Sequence, residues 1–217
     1  LVNKEWVRIT HTFTTNDTLG SYIVYVSNSL TPGKSLQFFG AQVEESSYAT
    51  SYIPTSGTTV TRAQETCVDA TPTINSEEGV LYAEISALAN GQGFRVISLN
   101  DGSSLNRIQM YYSNALNRIT VEIKINNSTE IALDNTVSDA TDMHKVAFKY
   151  KENDFALWID GVEVDTDLVG SVFSEGTLTE LDFNVGSNSL PFYGRTKDLK
   201  VYCKALTDEQ LIELTTI

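Results

Sequence analysis

Arg107, Gln109 and Tyr111 occupy alternate positions of the run RIQMYY. In a strand, a period of two places all three side chains on one face. A guanidinium, a carboxamide and a phenol on one surface can serve two kinds of chemistry. They can bind sugar, since planar polar groups form paired hydrogen bonds with hydroxyls and a ring packs on the apolar C–H face of a pyranose. Alternatively, with a tyrosine or histidine base, they can neutralise the substrate of a polysaccharide lyase. Only two histidines are present and no Gln-x-His motif accompanies the strip, so binding is the favoured reading. Tyr193, in the loop after Pro191, is a further ring that can stack on a sugar, as is its neighbour Phe192.

Hydrolysis asks for different residues. A retaining glycosidase needs two carboxyl groups about 5–5.5 Å apart on one surface. Glu84 and Glu122 stand alone on their strands, and Glu163 and Asp165 alternate just past a tight turn, where a solvent-facing edge is expected. There is no Gly-x-Ser-x-Gly elbow and no phosphate loop. The chain therefore reads as non-catalytic, with a lyase or hydrolase kept as the alternative.

The elements that must position these groups are strands. Alternating or continuous apolar runs occur over 80–88, 94–99, 107–112, 118–125, 130–133, 144–150, 155–159, 162–164, 178–185 and 196–203. Asn100-Asp101-Gly102 and Asp160-Gly161 are expected to form tight hairpins, because Asn, Asp and Gly tolerate positive φ. Trp158 falls on a core position. The period predicts Ile108, Met110 and Tyr112 in the core, opposite the exposed strip. One helix is expected after the capping box Thr207-Asp-Glu-Gln210, with Leu206, Leu211 and Leu214 on its apolar face.

Upstream, residues 6–14 alternate, with Val7, Ile9, Phe13 and His11 on one side. That pattern predicts a half-buried strand and a core role for His11. Further strands are expected over 22–26 and 36–44. Residues 46–75 are rich in Ser and Thr, a linker composition, with Tyr48, Tyr52 and Ile53 as apolar anchors along a neighbouring surface.

With 41% hydrophobic residues the chain can build a packed core, and its net charge of −13 disfavours nucleic acid as a partner. No apolar run approaches the roughly 20 residues needed to span a bilayer. Cys67 and Cys203 form neither a disulfide framework nor a zinc spacing, and are expected to be free thiols. The chain begins with Leu inside a strand pattern, which reads as a piece of a longer protein.

Two stretches carry a resemblance. Residues 149–164, KYKENDFALWIDGVEV, and 192–207, FYGRTKDLKVYCKALT, resemble the central hairpin, last strand and closing helix of concanavalin A-like (laminin G-like) domains. Residues 40–62, GAQVEESSYATSYIPTSGTTVTR, resemble the end of a carbohydrate-binding-module-like jelly roll in tail and fibre proteins of tailed phages. The fold implied is an all-β antiparallel sandwich with one short C-terminal helix. It would span 75–217, after a partial jelly roll at 1–55 and a linker at 56–74.

In that family the aromatic before the penultimate Gly packs under the sheet, which implies a core role for Phe192 and Tyr193. Many members hold Ca²⁺ through loop oxygens, which makes Asp101, Asp139 and Asp142 the candidate ligands, solvated turns being the competing role. The function implied is recognition or adhesion on a virion fibre, as a homotrimer contacting host-surface glycan. The alternative is an accessory module of a secreted polysaccharide-degrading enzyme.

Overall fold

The computed structural model describes residues 7–14, 37–44, 49–61, 71–91 and 93–217. The chain divides into two units, Leu1–Gln64 and Glu65–Ile217. The division falls inside the Ser/Thr-rich stretch.

Among the described residues of the second unit, ten strands form two five-stranded antiparallel sheets. Sheet A contains β1 (Glu78–Ala87), β6 (His144–Lys151), β7 (Phe155–Ile159), β8 (Val162–Asp167) and β10 (Gly194–Tyr202), in the order β10-β1-β6-β7-β8. Sheet B contains β2 (Arg95–Asn100), β3 (Arg107–Tyr112), β4 (Arg118–Ile125), β5 (Ser128–Thr136) and β9 (Glu180–Asp182), in the order β5-β4-β3-β2-β9. This is the antiparallel sandwich expected from the sequence. Its core lies between the sheets. Leu81, Ala83 and Ile85 of β1 and Val146, Phe148 and Tyr150 of β6 meet Ile108, Met110 and Tyr112 of β3 and Ile119, Val121 and Ile123 of β4.

Turn chemistry sets the registers. Asn126 and Asn127 have φ of 50° and 65°, and Asp160 and Gly161 have φ of 51° and 83°. Both pairs join their strands by two residues, as hairpins with positive φ at both central positions do. Asn100-Asp101-Gly102 does not make the tight hairpin expected of it. Residues 101–106 separate β2 from β3. Asp101 instead gathers the loop: Oδ1 accepts from Ser103 N at 3.0 Å and Ser103 Oγ at 2.6 Å, and Oδ2 accepts from Asn106 Nδ2 at 2.8 Å. β9 is also shorter than its apolar run. Asn184 Oδ1 accepts from Gly186 N at 2.7 Å and Asn188 N at 3.2 Å, which turns the chain away from the ladder.

The two outer faces differ. Helix α1 (Asp208–Thr215) packs Leu211, with Leu206 and Leu214, on Val80, Tyr82, Ala147, Ala156 and Trp158 of sheet A. Its capping box forms as read: Thr207 Oγ1 accepts from Gln210 N, and Gln210 Oε1 accepts from Thr207 N at 3.0 Å. Thr207→Ala is expected to lower unfolding free energy by about 1 kcal/mol in urea titration. Sheet B carries no helix on its outer face among the described residues. Along one side the sheets end on β8 and β5, and Asp165 Oδ2 of β8 accepts from Asp134 N of β5 at 3.1 Å.

In the first unit the described residues 7–14 and 37–44 form no strand, and Val7, Ile9, His11 and Phe13 are exposed. The half-buried strand and the core role for His11 are therefore corrected. No apolar surface covers Val7 or Ile9 among the described residues, and His11 stacks on Phe13 at 6.3 Å instead. Residues 49–55 do run along 37–44. Gln42 Oε1 accepts from Ile53 N at 2.8 Å, Glu44 Oε1 accepts from Thr50 N at 2.9 Å, and Tyr52 lies 5.5 Å from Phe39. The expected strand at 22–26 and Tyr48 lie outside the described residues, as does Cys67. Cys203 is a free thiol whose Sγ donates to Thr73 O at 3.2 Å.

Candidate functional site

β3 is the middle strand of sheet B, and its alternation decides what each face carries. Arg107 pairs with Asn100 and Lys124, Gln109 with Ser98 and Glu122, and Tyr111 with Val96 and Thr120. These residues point away from the core, while Ile108, Met110 and Tyr112 enter it, as the period predicts.

The strip is not exposed, however. Arg107, Gln109 and Tyr111 are 8%, 5% and 7% accessible. Val96 and Val185 pack with Tyr111, and Gly186 approaches so closely that a Cβ would fall 2.4 Å from Ser103 O and 2.7 Å from the Asn100 side chain. The segment following β9 thus lies over the β2 end of the face. Its backbone also takes part: Ser98 Oγ donates to Asn184 O at 2.6 Å, and Val96 N donates to Leu190 O at 3.3 Å.

What joins the strip is Glu122, on the neighbouring strand β4. Tyr111 Oη donates to Glu122 Oε1 at 2.9 Å, and Gln109 Nε2 donates to Glu122 Oε2 at 2.6 Å. Arg107 Nε then donates to Gln109 Oε1 at 2.7 Å, and Arg107 Nη1 donates to Ser104 O. Lys124 Nζ stands 3.8 Å from Glu122 Oε2. Burial, reinforced by the Glu122 charge, pushes the Tyr111 phenol far up, so it stays a neutral donor. Burial pulls the Arg107 guanidinium down, and the Glu122 charge opposes that pull.

An exposed ring completes the face. Phe94, immediately before β2, lies 5.7 Å from the Tyr111 ring at 55° and is 41% accessible. On the other side Arg118 donates to Asp134, both at the rim. Phe94 is not singled out by the sequence, and Glu122 is singled out only as a lone carboxylate, not as a partner of the strip. The signal for Glu122 was present, since Thr120, Glu122 and Lys124 alternate with Ile119, Val121 and Ile123.

Tyr193 is 55% accessible and precedes β10 of sheet A, on the other sheet from the strip. The core role implied for this pair is taken by Phe192 alone, which meets Tyr112 at 6.3 Å and Phe183 at 6.1 Å. Tyr193 is not under the sheet, because strand alternation turns it the opposite way from Phe192.

The candidate calcium ligands do not share a centre. Asp101 sits at the Arg107 end of sheet B, with both oxygens taken by Ser103 and Asn106. Burial works against its ionisation, but those donors outweigh it and hold the carboxyl below its ordinary range. Asp139 and Asp142 lie between β5 and β6, where Asn117 Nδ2 donates to Ser138 O at 3.0 Å. Asp139 Oδ1 accepts from Thr141 N at 2.9 Å, Thr141 Oγ1 at 2.9 Å and Asn90 Nδ2 at 3.2 Å. These bonds, that of Thr141 N foremost, hold its carboxyl low. Among the described residues no three His, Cys, Asp or Glu side chains group closely enough to hold a metal ion together.

Residues 65–212 match the family model described as the concanavalin A-like lectin/glucanases superfamily. No curated protein sequence matches the chain. Among solved structures, the fold is similar to the CBM40 of a Ruminococcus gnavus IT-sialidase, at 19% identity and a TM-score of 0.54 over 65% of this chain and 84% of that one. The same module bound to alpha2,3 sialyllactose matches with a TM-score of 0.52 and 19% identity, over 64% and 83%. Domain 4 of AbnA, an extracellular GH43 arabinanase from Geobacillus stearothermophilus in complex with arabinotriose, matches at 14% identity and a TM-score of 0.51, over 66% and 68%.

Proposed function

Because the chain belongs to the concanavalin A-like lectin/glucanases superfamily, we propose that its sandwich is a non-catalytic glycan-binding module whose site is the outer face of sheet B. The observation that carries this reading is the accessible Phe94 ring, tilted at 55° against Tyr111 beside a carboxylate, a carboxamide and a guanidinium already linked to one another. A flat ring next to planar polar groups fixed in place is the pairing that sugars require, apolar on one side and hydroxylated on the edge. Structures of similar fold bound to sialyllactose and arabinotriose support the class of ligand.

A binding role also fits the carboxylates. Glu84 faces outward from sheet A, where Lys197 Nζ donates to it at 2.7 Å, and Glu122 faces outward from sheet B. The two cannot flank one glycosidic bond.

Phe94→Ala is expected to weaken binding to glycans captured on an array by about tenfold, near 1.4 kcal/mol, without shifting the thermal midpoint. Unchanged affinity in this variant would remove the site from this face.

The parent protein is read, from residues 40–62, as a virion fibre carrying the module at its surface as a homotrimer. The second reading, an accessory module of an extracellular polysaccharide-degrading enzyme, is favoured by the sialidase and arabinanase origins of the similar structures. Light scattering of the purified chain separates a trimer from a monomer.

A further inference from the structure

We infer that the ligand of this face is a neutral glycan read through its hydroxyl groups, and that sugars bearing a carboxylate are rejected. This rests on the reading that the outer face of sheet B is the glycan site. The register places three cations on that face, Arg107, Arg118 and Lys124, against four carboxylates, Glu122, Asp134, Asp182 and Glu180. The cations are already engaged. Arg118 is bonded to Asp134, Lys124 stands 3.8 Å from Glu122, and Arg107 is held by Gln109 and Ser104 O.

Arg107 also feels the Glu122 charge, so a sugar carboxylate would meet no cation without a nearby counter-charge, and the whole chain carries a net charge of −13. Glu122, the hub of the network, accepts one protein hydrogen bond at each oxygen. A carboxylate has about four lone-pair sites, so it can still accept from sugar O–H donors. The same oxygens repel an anion, and in a partly desolvated surface that repulsion is screened less than in bulk water. The fold is shared with a module bound to sialyllactose, but the charges on this face favour the opposite selection.

The test uses the whole chain and an array of matched pairs: lactose with sialyllactose, and neutral xylan with glucuronoxylan and arabinan with polygalacturonate, at low and high salt. The expected result is retention of neutral members, with acidic partners at least about tenfold weaker and the gap narrowing at high salt. Asp134→Asn, which releases Arg118 from its counter-charge, should narrow the gap. Preference for the acidic member of each pair overturns the inference and leaves the glycan-binding reading standing. So does a gap that neither salt nor Asp134→Asn alters. Failure to retain any member, acidic or neutral, overturns the glycan-binding reading itself and this inference with it.

Discussion

Gly79→Val is expected to be among the most damaging single substitutions in the sandwich, lowering unfolding free energy by about 3 kcal/mol or more. Gly79 lies in β1 opposite Tyr150 of β6. A Cβ there would fall 2.4 Å from Tyr202 O, 2.5 Å from Tyr150 Oη and 2.7 Å from Tyr150 Cζ. None of these can give way cheaply. Tyr202 O belongs to the β10 ladder, and the Tyr150 ring is wholly buried, 6.4 Å from Phe148. Its hydroxyl donates to Asn75 O at 2.7 Å. Relief requires opening the β1–β10 pairing or leaving the Tyr150 hydroxyl without its acceptor, which alone costs about 1–3 kcal/mol. Gly176 is the control: nothing lies within 4 Å of its Cβ position, and its φ is +71°. Gly176→Ala should cost only the left-handed backbone penalty, about 1–2 kcal/mol. Urea unfolding followed by tyrosine and tryptophan fluorescence measures both. Equal losses would mean that close packing at Gly79 contributes nothing.

Tyr112→Ala is expected to cost about 3–5 kcal/mol. The ring is 2% accessible, meets Phe192 at 6.3 Å, and its hydroxyl donates to Ile85 O at 3.2 Å, from sheet B to sheet A. Truncation leaves a void between the sheets and removes the hydroxyl donor from Ile85 O. Tyr111→Ala, one position along, should show a different profile. It removes a ring from the small outer cluster and a donor from Glu122, so it loses some stability, less than Tyr112→Ala, together with glycan affinity. Because Tyr111 is covered, Tyr111→Ala is not expected to be thermodynamically silent. If Tyr111→Ala unfolds the protein and Tyr112→Ala leaves it intact, the facing of β3 is reversed and the site falls with it.

The bounds of β3, β4 and β7 follow from pattern alone, because each is a short apolar or alternating run closed by residues that tolerate turns. The direction of Arg107, Gln109 and Tyr111 was legible for the same reason. Their burial was not. It depends on Val185 and Gly186, some 75 residues further along, folding back over Val96 and Asn100. No local period announces such a contact. Glu122 was visible as an outward residue, but its place at the centre of the network required the β3–β4 register, which the loop at 113–117 sets. Alternation failed at residues 7–14 for the converse reason. A period of two states which side chains share a face and says nothing about whether a partner strand or an opposing surface is there to bury them.

The bond between the two sheet edges, from Asp134 N to Asp165, has a bearing on behaviour at high local concentration. An unpaired strand edge is a template on which another chain can polymerise. Here one amide of that template on β5 is occupied by a neighbouring carboxylate, and β8 carries Glu163, Asp165 and Asp167, with a register shift between Glu163 and Asp165 that further interrupts the edge. Copies crowded together would meet along this side as like charges. That charge, with the occupied amide, works against edge-to-edge pairing of one copy with the next.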